Sequence, residues 1–154
     1  FPDILLVLAG KGALRQELHD AIIFRGLTRH VQTVGAVSEQ ALPLLYRAAD
    51  LSIVPSTAYE GFGLIIVESL AAGTPVLGTP VGAIPEVLGP LAKTLLLEGT
   101  SPGHVADGIC GALSGRRRIP CREACENYAV EHYAWPLVVS RINAVYREVL
   151  ETTD

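Results

Sequence analysis

The sequence predicts an α/β fold, a Rossmann-like three-layer sandwich with a parallel sheet. Three observations carry this. Short apolar runs alternate with amphipathic segments, and each pair takes about 20–30 residues, the length of a βαβ unit. The runs "ILLVLAG", "LSIVPS" and "PVLGTP" are continuous rather than alternating, as in strands covered on both faces. The unusual small and charged residues fall just past the ends of these runs, where open parallel sheets bind ligands.

The elements follow in order. Residues 4–10 form a first strand ending in glycine. Residues 14–27 place Leu14, Leu18, Ala21, Ile22 and Phe24 mostly on one helical face. "VQTVG" is a second strand, stopped at Gly35. Ser38 caps a helix over 39–50, with Pro43 early in it. "LSIVPS" is a third strand, stopped by Pro55. A helix over 64–72 ends at Gly73. "PVLGTP" is a fourth strand, 84–88 a short helix, "KTLLLEG" a fifth strand and 105–113 a helix. After the polar break "GRRRIP" come helices over 121–132 and 135–151, kinked apart at Trp135-Pro136. This divides the chain into a Rossmann-like domain over 1–115, truncated at its start, and C-terminal helices over 116–154.

Composition narrows the function. The chain has 154 residues, 49% hydrophobic and only 18% charged, enough for a sizeable core. The net charge of −4 and the lack of a basic stretch beyond Arg116-Arg117-Arg118 argue against a nucleic-acid partner. No apolar run is long enough for a membrane span. The start, "FPDILLVLAG", has neither the charged beginning nor the cleavage region of a signal peptide, and reads as a strand inside a larger protein. Cys110, Cys121 and Cys125 lack a paired CxxC and read as structural or free thiols rather than a metal site. A reducing, cytoplasmic setting follows as the expectation.

The chemistry concentrates in "YEGFGLIIVESLAAGTPV". Gly61 and Gly63 let the chain turn and let a ligand approach the backbone. The helix beginning near Leu64 aims its free N–H groups at that loop, a seat for an anion such as phosphate. Two carboxylates, Glu60 in the loop and Glu68 in the helix, would repel a phosphate they touched. They suit hydroxyl donors, which sugars supply. A diphosphate flanked by a ribose and a hexose meets both needs. A lone glutamate would more simply be a solvated surface charge. Glu68, however, sits in the otherwise apolar "LIIVESLAAG", where a bare carboxylate is costly without a partner.

The segment "PSTAYEGFGLIIVESLAAGTPVLGTPVGAIPE" resembles the signature of retaining glycosyltransferases of the GT-B fold, in particular family four (glycosyl transferases group 1). Their E-x(7)-E motif is matched by Glu60 and Glu68. The resemblance extends to "LAGKG", "VGAVSEQALPLLYRAADLSIVPS" and "YAVEHYAWPLVVSRINAVY", nearly the whole chain. It implies the C-terminal, donor-binding half of an enzyme that moves a sugar from a nucleoside diphosphate to a hydroxyl acceptor. The implied donor is a UDP-, GDP- or ADP-sugar, with no cofactor and no metal. Glu68 would accept hydrogen bonds from the ribose, and Glu60 would face the hydroxyls of the transferred sugar. Both stand at the catalytic positions of the motif, as ligand-binding groups rather than nucleophile and acid. Backbone N–H groups around Gly61, Phe62, Gly63 and Leu64 would contact sugar and diphosphate. The turn at Val34 and Gly35 would touch the base, and Gly10 and Gly12 would pass close to the nucleotide.

The acceptor, a carbohydrate, lipid or small molecule, would bind an N-terminal domain that this sequence does not include. The last helices would pack back toward that domain. Peripheral membrane contact of the longer protein stays open. Three departures from the family pattern stand out. The arginine and lysine that neutralise the diphosphate would precede Phe1, and Lys11 is not that lysine. Gly82-Ala83 replaces a glycine pair, and Ala13 stands where proline is common. The first departure implies weak donor binding by this chain alone.

Other readings fit less well. Gly10-Lys11-Gly12 lacks the third glycine of a dinucleotide fingerprint, because position 15 is Arg15. His19, His30, His104 and His132 suggest no triad, and Ser56 and Ser69 lack a nucleophile elbow. Trp135 reads as a packing anchor. Two alternatives remain: a nucleotide-sugar-binding protein of this fold without transferase activity, and a nucleotide-sugar epimerase.

Overall fold

The computed structural model describes residues 1–151. It divides into two compact units, Phe1–Leu42 and a second from Pro43 onward. In the first, β1 (Leu6–Ala9) pairs in parallel with β2 (Val31–Gly35), and α1 (Arg15–Phe24) lies between them in the chain. The register runs from Leu6 opposite Val31 to Leu8 opposite Thr33, then slips so that Ala9 meets Gly35. The sequence predicts β1 covered on both faces and α1 buried along one. Instead β1 is exposed at both ends and half-buried between, and no residue of α1 is buried. One helix and two strands cannot cover both faces of a sheet.

The second unit repeats the parallel pairing. After α2 (Leu42–Ala48), which begins at the division, β3 (Ser52–Val54) pairs with β4 (Val76–Gly78) across the crossover helix α3 (Leu64–Ala71). Then follow α4 (Ile84–Leu88), α5 (Pro102–Leu113), α6 (Arg122–Tyr133) and α7 (Trp135–Glu151). Four of these helices bury residues three and four apart, the helical repeat of one inward face. They are Ile66, Ser69 and Leu70 in α3; Ile84, Val87 and Leu88 in α4; Gly108, Gly111 and Ala112 in α5; and Cys125, Tyr128 and Ala129 in α6. The buried apolar residues of α3, α4 and α6 join Val54, Val76 and Leu95 in the main core.

Several expectations shift. The helix over 39–50 shortens to α2, because Pro43 has no N–H to continue the i→i−4 ladder from the turn in which Ala41 and Leu42 donate to the Ser38 carbonyl. The α5 helix starts three residues before the predicted Val105. Ser101 caps it, accepting from the His104 N–H at 3.2 Å, and Pro102 suits the first helical position. "KTLLLEG" is not a strand. Lys93–Leu95 is a 3-10 turn, and only Leu96 bridges to Gly78. The Arg117 guanidinium takes the carbonyls of Thr94 and Leu96, both at 2.8 Å, while Leu95 and Leu97 turn into the core. The carbonyls that would extend a ladder are thereby engaged by a side chain. Trp135, expected as a packing anchor, is 77% exposed.

Arg122 ties the start of α6 to the loops around β3 and β4. Its Nη1 donates to the Arg47 carbonyl and to Thr74 Oγ1, both at 3.2 Å, and its Nη2 to the Ala49 carbonyl at 2.8 Å. Thr74 Oγ1 in turn donates to the Tyr46 carbonyl at 2.6 Å. Arg122→Ala removes a charged donor from two backbone carbonyls and the Thr74 hydroxyl. We expect it to lower unfolding free energy by about 1–3 kcal/mol. Urea denaturation of both proteins measures this, and an unchanged midpoint would contradict it.

Candidate functional site

The site predicted around Glu60 and Glu68 lies in the second unit, where β3, α3 and β4 meet. Pro55 ends β3, since it has no N–H to offer the ladder. The chain then loops through Tyr59, a non-glycine in the left-handed region with φ 59°, to Glu60. Gly63 immediately precedes α3 with φ 80°. A Cβ there would also come within 2.9 Å of Ile66 Cδ1 and push that side chain aside, but it is the left-handed φ that favours glycine. No side chain caps α3. The Ile66 N–H turns back to the Gly63 carbonyl at 2.8 Å, while among the described residues those of Leu64 and Ile65 are left open, where an anion fits. Glu60, Phe62, Gly63, Leu64 and Ile65 line a shallow depression over this end of the helix. At Gly61 a Cβ would meet nothing within 4 Å. The fold itself does not need that small residue, whereas a ligand approaching the backbone would.

Glu60 is held at both its backbone and its side chain. Its carbonyl accepts from the Ala83 N–H at 3.1 Å, and its carboxylate oxygen Oε2 accepts from Ser56 Oγ at 3.0 Å. Gly82, with φ 54°, packs so tightly on the Glu60 backbone that a Cβ would overlap the carbonyl. Gly82-Ala83, singled out in the sequence as a departure from a glycine pair, thus clamps the Glu60 loop.

Glu68 requires a correction. The apolar stretch around it suggests a carboxylate set in a buried stripe, but Glu68 is exposed. Helix α3 is apolar nearly all round. It buries only Ile66, Ser69 and Leu70, and leaves Leu64 62% and Ile65 48% exposed. The predicted need for a partner is met by Tyr46, whose hydroxyl donates to Glu68 Oε2 at 3.3 Å. Burial, then the charge of Glu68 and its hydrogen bond, push the Tyr46 phenol up to about 12. It therefore remains a donor across the neutral range.

Phe62 is 44% exposed and sets its ring edge-to-face against Tyr133, centroids 5.7 Å apart. Tyr133 closes α6 and stacks in the same manner on Tyr128, whose hydroxyl donates to the Val87 carbonyl at 2.8 Å. The loop is thus braced from α6 as well as from the turn after β4.

The remaining predicted residues lie in the first unit, which brings them to one corner. Gly10, at the end of β1, donates its N–H to the Gly35 carbonyl at 2.7 Å, and both have positive φ. Val34 is 40% exposed beside them. Gly12 is exposed, with space around it for a side chain that it lacks. Ser56, Thr79 and Tyr46 were not among the predicted site residues. Their signals, "PS" after a strand and "YRAAD" before one, mark boundaries without announcing a side-chain contact.

The chain matches the family model "Glycosyl transferases group 1" over residues 1–132. It is 32% identical over 152 residues to a phosphatidyl-myo-inositol mannosyltransferase of Mycobacterium leprae, covering 97% of this chain and 39% of that protein. Among solved structures it is similar to a sucrose-phosphate synthase from Thermosynechococcus elongatus, with TM-score 0.79, 25% identity and coverage of 97% of this chain and 39% of that one. It is also similar to Anabaena HepE in complex with UDP-glucose, with TM-score 0.74, 25% identity and coverage of 99% and 42%. The chain therefore spans about two fifths of the length of each of these relatives.

Proposed function

The chain belongs to the glycosyl transferases group 1 family, and from that premise we propose that it binds the nucleotide-sugar donor of a retaining glycosyltransferase. The observation that carries this reading is the uncapped start of α3. It opens on a depression lined in part by Glu60, while Glu68 stands exposed further along the same helix. The helix N-terminus takes the diphosphate. Glu60 accepts hydrogen bonds from the transferred sugar, and Glu68 from the ribose. The complex of HepE with UDP-glucose supports a nucleotide sugar as the ligand class.

The full enzyme transfers the sugar to a hydroxyl acceptor chosen by parts of the protein beyond this chain. The bond from the anomeric carbon to the diphosphate breaks as the bond to the acceptor oxygen forms on the same face, and the acceptor proton passes to the departing diphosphate. Catalysis rests on positioning and on stabilising that leaving group. The two-carboxylate scheme of glycosidases does not apply.

The roles separate in a binding experiment. Glu60→Gln leaves affinity for a free nucleoside diphosphate unchanged and lowers affinity for the matching nucleotide sugar about ten-fold, since a charged acceptor becomes a neutral one. Calorimetric titration with both ligands reads this. Equal loss for both would contradict the assignment of Glu60 to the sugar.

A further inference from the structure

The hydrogen bond from Ser56 to Glu60 is the end of a longer chain of contacts. Thr79, just past β4, is fully buried. Its hydroxyl donates to the Ser56 carbonyl at 2.6 Å, and its N–H to the Val54 carbonyl at 3.2 Å. These two bonds carry the β3–β4 pairing beyond Gly78 and pin the backbone of Ser56, although Pro55 interrupts the strand. Ser56 Oγ then reaches across the loop to Glu60 Oε2. The other Glu60 oxygen has no hydrogen-bond partner among the described residues. The carboxylate is therefore held by one oxygen and offers the second.

We propose that Ser56, fixed in place by Thr79, is a positioning residue that orients the Glu60 carboxylate toward the sugar of the donor. The proposal rests on the reading of Glu60 given above. A glutamate has three rotatable side-chain bonds, and leaving them free until the ligand arrives would cost affinity. Ser56 fixes them beforehand, as groups around a binding residue do in a preorganised site. Its hydroxyl suits this role because it donates to a carboxylate, whereas an apolar residue would leave Glu60 to rotate. Thr79 acts at one remove, because without its hydroxyl the Ser56 backbone loses its anchor on β4.

The test has two arms. The first needs no ligand. In protein labelled with 13C at glutamate, the Glu60 carboxyl resonance, assigned with Glu60→Gln, is compared at neutral pH. Ser56→Ala and Thr79→Val shift it, and Ser56→Thr, which keeps the hydroxyl, leaves it near its original position. An unmoved resonance in both Ser56→Ala and Thr79→Val would overturn the positioning role.

The second arm measures affinity for UDP, GDP and ADP and for UDP-glucose, GDP-mannose and ADP-glucose. With the pair that binds, Ser56→Ala lowers the ratio of sugar-bearing to free nucleotide affinity about three- to ten-fold, the worth of one hydrogen bond. In the Glu60→Gln background the same substitution has no further effect. A purely structural serine would lower both affinities in both backgrounds, and that result would overturn the proposal while leaving Glu60 as the sugar ligand. If Glu60→Gln itself left the ratio unchanged, the assignment of Glu60 to the sugar would fall, and the proposed role of Ser56 in donor binding with it.

Discussion

Glu68→Gln lowers affinity for the preferred nucleoside diphosphate about ten- to hundred-fold, with or without its sugar. This size follows from the loss of hydrogen bonds between ribose hydroxyls and a charged acceptor, about 1.5–3 kcal/mol. The fold should not register the change. Glu68 is exposed, and a glutamine oxygen can still accept from Tyr46. The melting temperature of the free protein therefore stays where it is while the binding isotherm moves. The two carboxylates then differ in a way that can be checked. Loss at Glu68 affects every nucleotide, and loss at Glu60 only the sugar-bearing forms. A Glu68→Gln protein that bound all nucleotides normally would remove the ribose role.

Gly82→Ala damages both stability and binding. Its φ of 54° is a conformation L residues adopt at a cost, and the new Cβ would overlap the Glu60 carbonyl. The Ala83–Glu60 hydrogen bond must lengthen to make room. We expect a loss of about 2–4 kcal/mol in unfolding free energy. The Glu60 loop is displaced as well, so affinity for nucleotide sugar falls further than affinity for free nucleotide. Gly61→Ala is the matching control. It meets no protein atom within 4 Å, so it should leave stability unchanged and weaken only ligand binding. Denaturation curves and titrations on the two variants separate a glycine kept for the fold from one kept for the ligand. Full stability in Gly82→Ala would contradict the clamp.

Features set by local chemistry were legible in the sequence. The parallel strand–helix–strand units were readable because continuous apolar runs and helical periodicity are local patterns. So was the helix at Leu64, since Gly63 and Gly73 bracket it with left-handed turns. Glu60 and Glu68 stand out through the resemblance of their segment to the E-x(7)-E motif, which is a local pattern. What the sequence hid depends on residues far apart along the chain. The carbonyls around Leu96 are engaged by Arg117, about twenty residues later, so a strand-like run became a 3-10 turn and a single bridge. Glu68 is exposed because α3 turns the face of Ile66, Ser69 and Leu70 inward, and a helix apolar nearly all round does not announce which face is chosen. Tyr46 and Ser56 became visible as partners of the two glutamates only once α2 and the loop after β3 were folded beside α3.

Part of the chain's hydrophobic 49% lies at the surface. Leu64 and Ile65 on α3, and Trp135, Val139, Ile142 and Tyr146 on α7, are all exposed. The α7 residues follow one another at spacings of four, three and four, the stripe of a helix built to pack.

Donor binding by this chain turns on whether the loop from Glu60 to Leu64 seats the diphosphate of a nucleotide sugar. Backbone amide shift mapping answers this, by titrating the 15N-labelled chain with UDP, GDP and ADP and with a hexose-bearing form of each. We expect one base to be preferred and the amides of Gly61, Gly63 and Leu64 to move most, with the movement in Glu68→Gln needing about ten- to hundred-fold more ligand. No movement at these amides with any of the six ligands, or movement confined to other parts of the chain, would show that the diphosphate does not sit there.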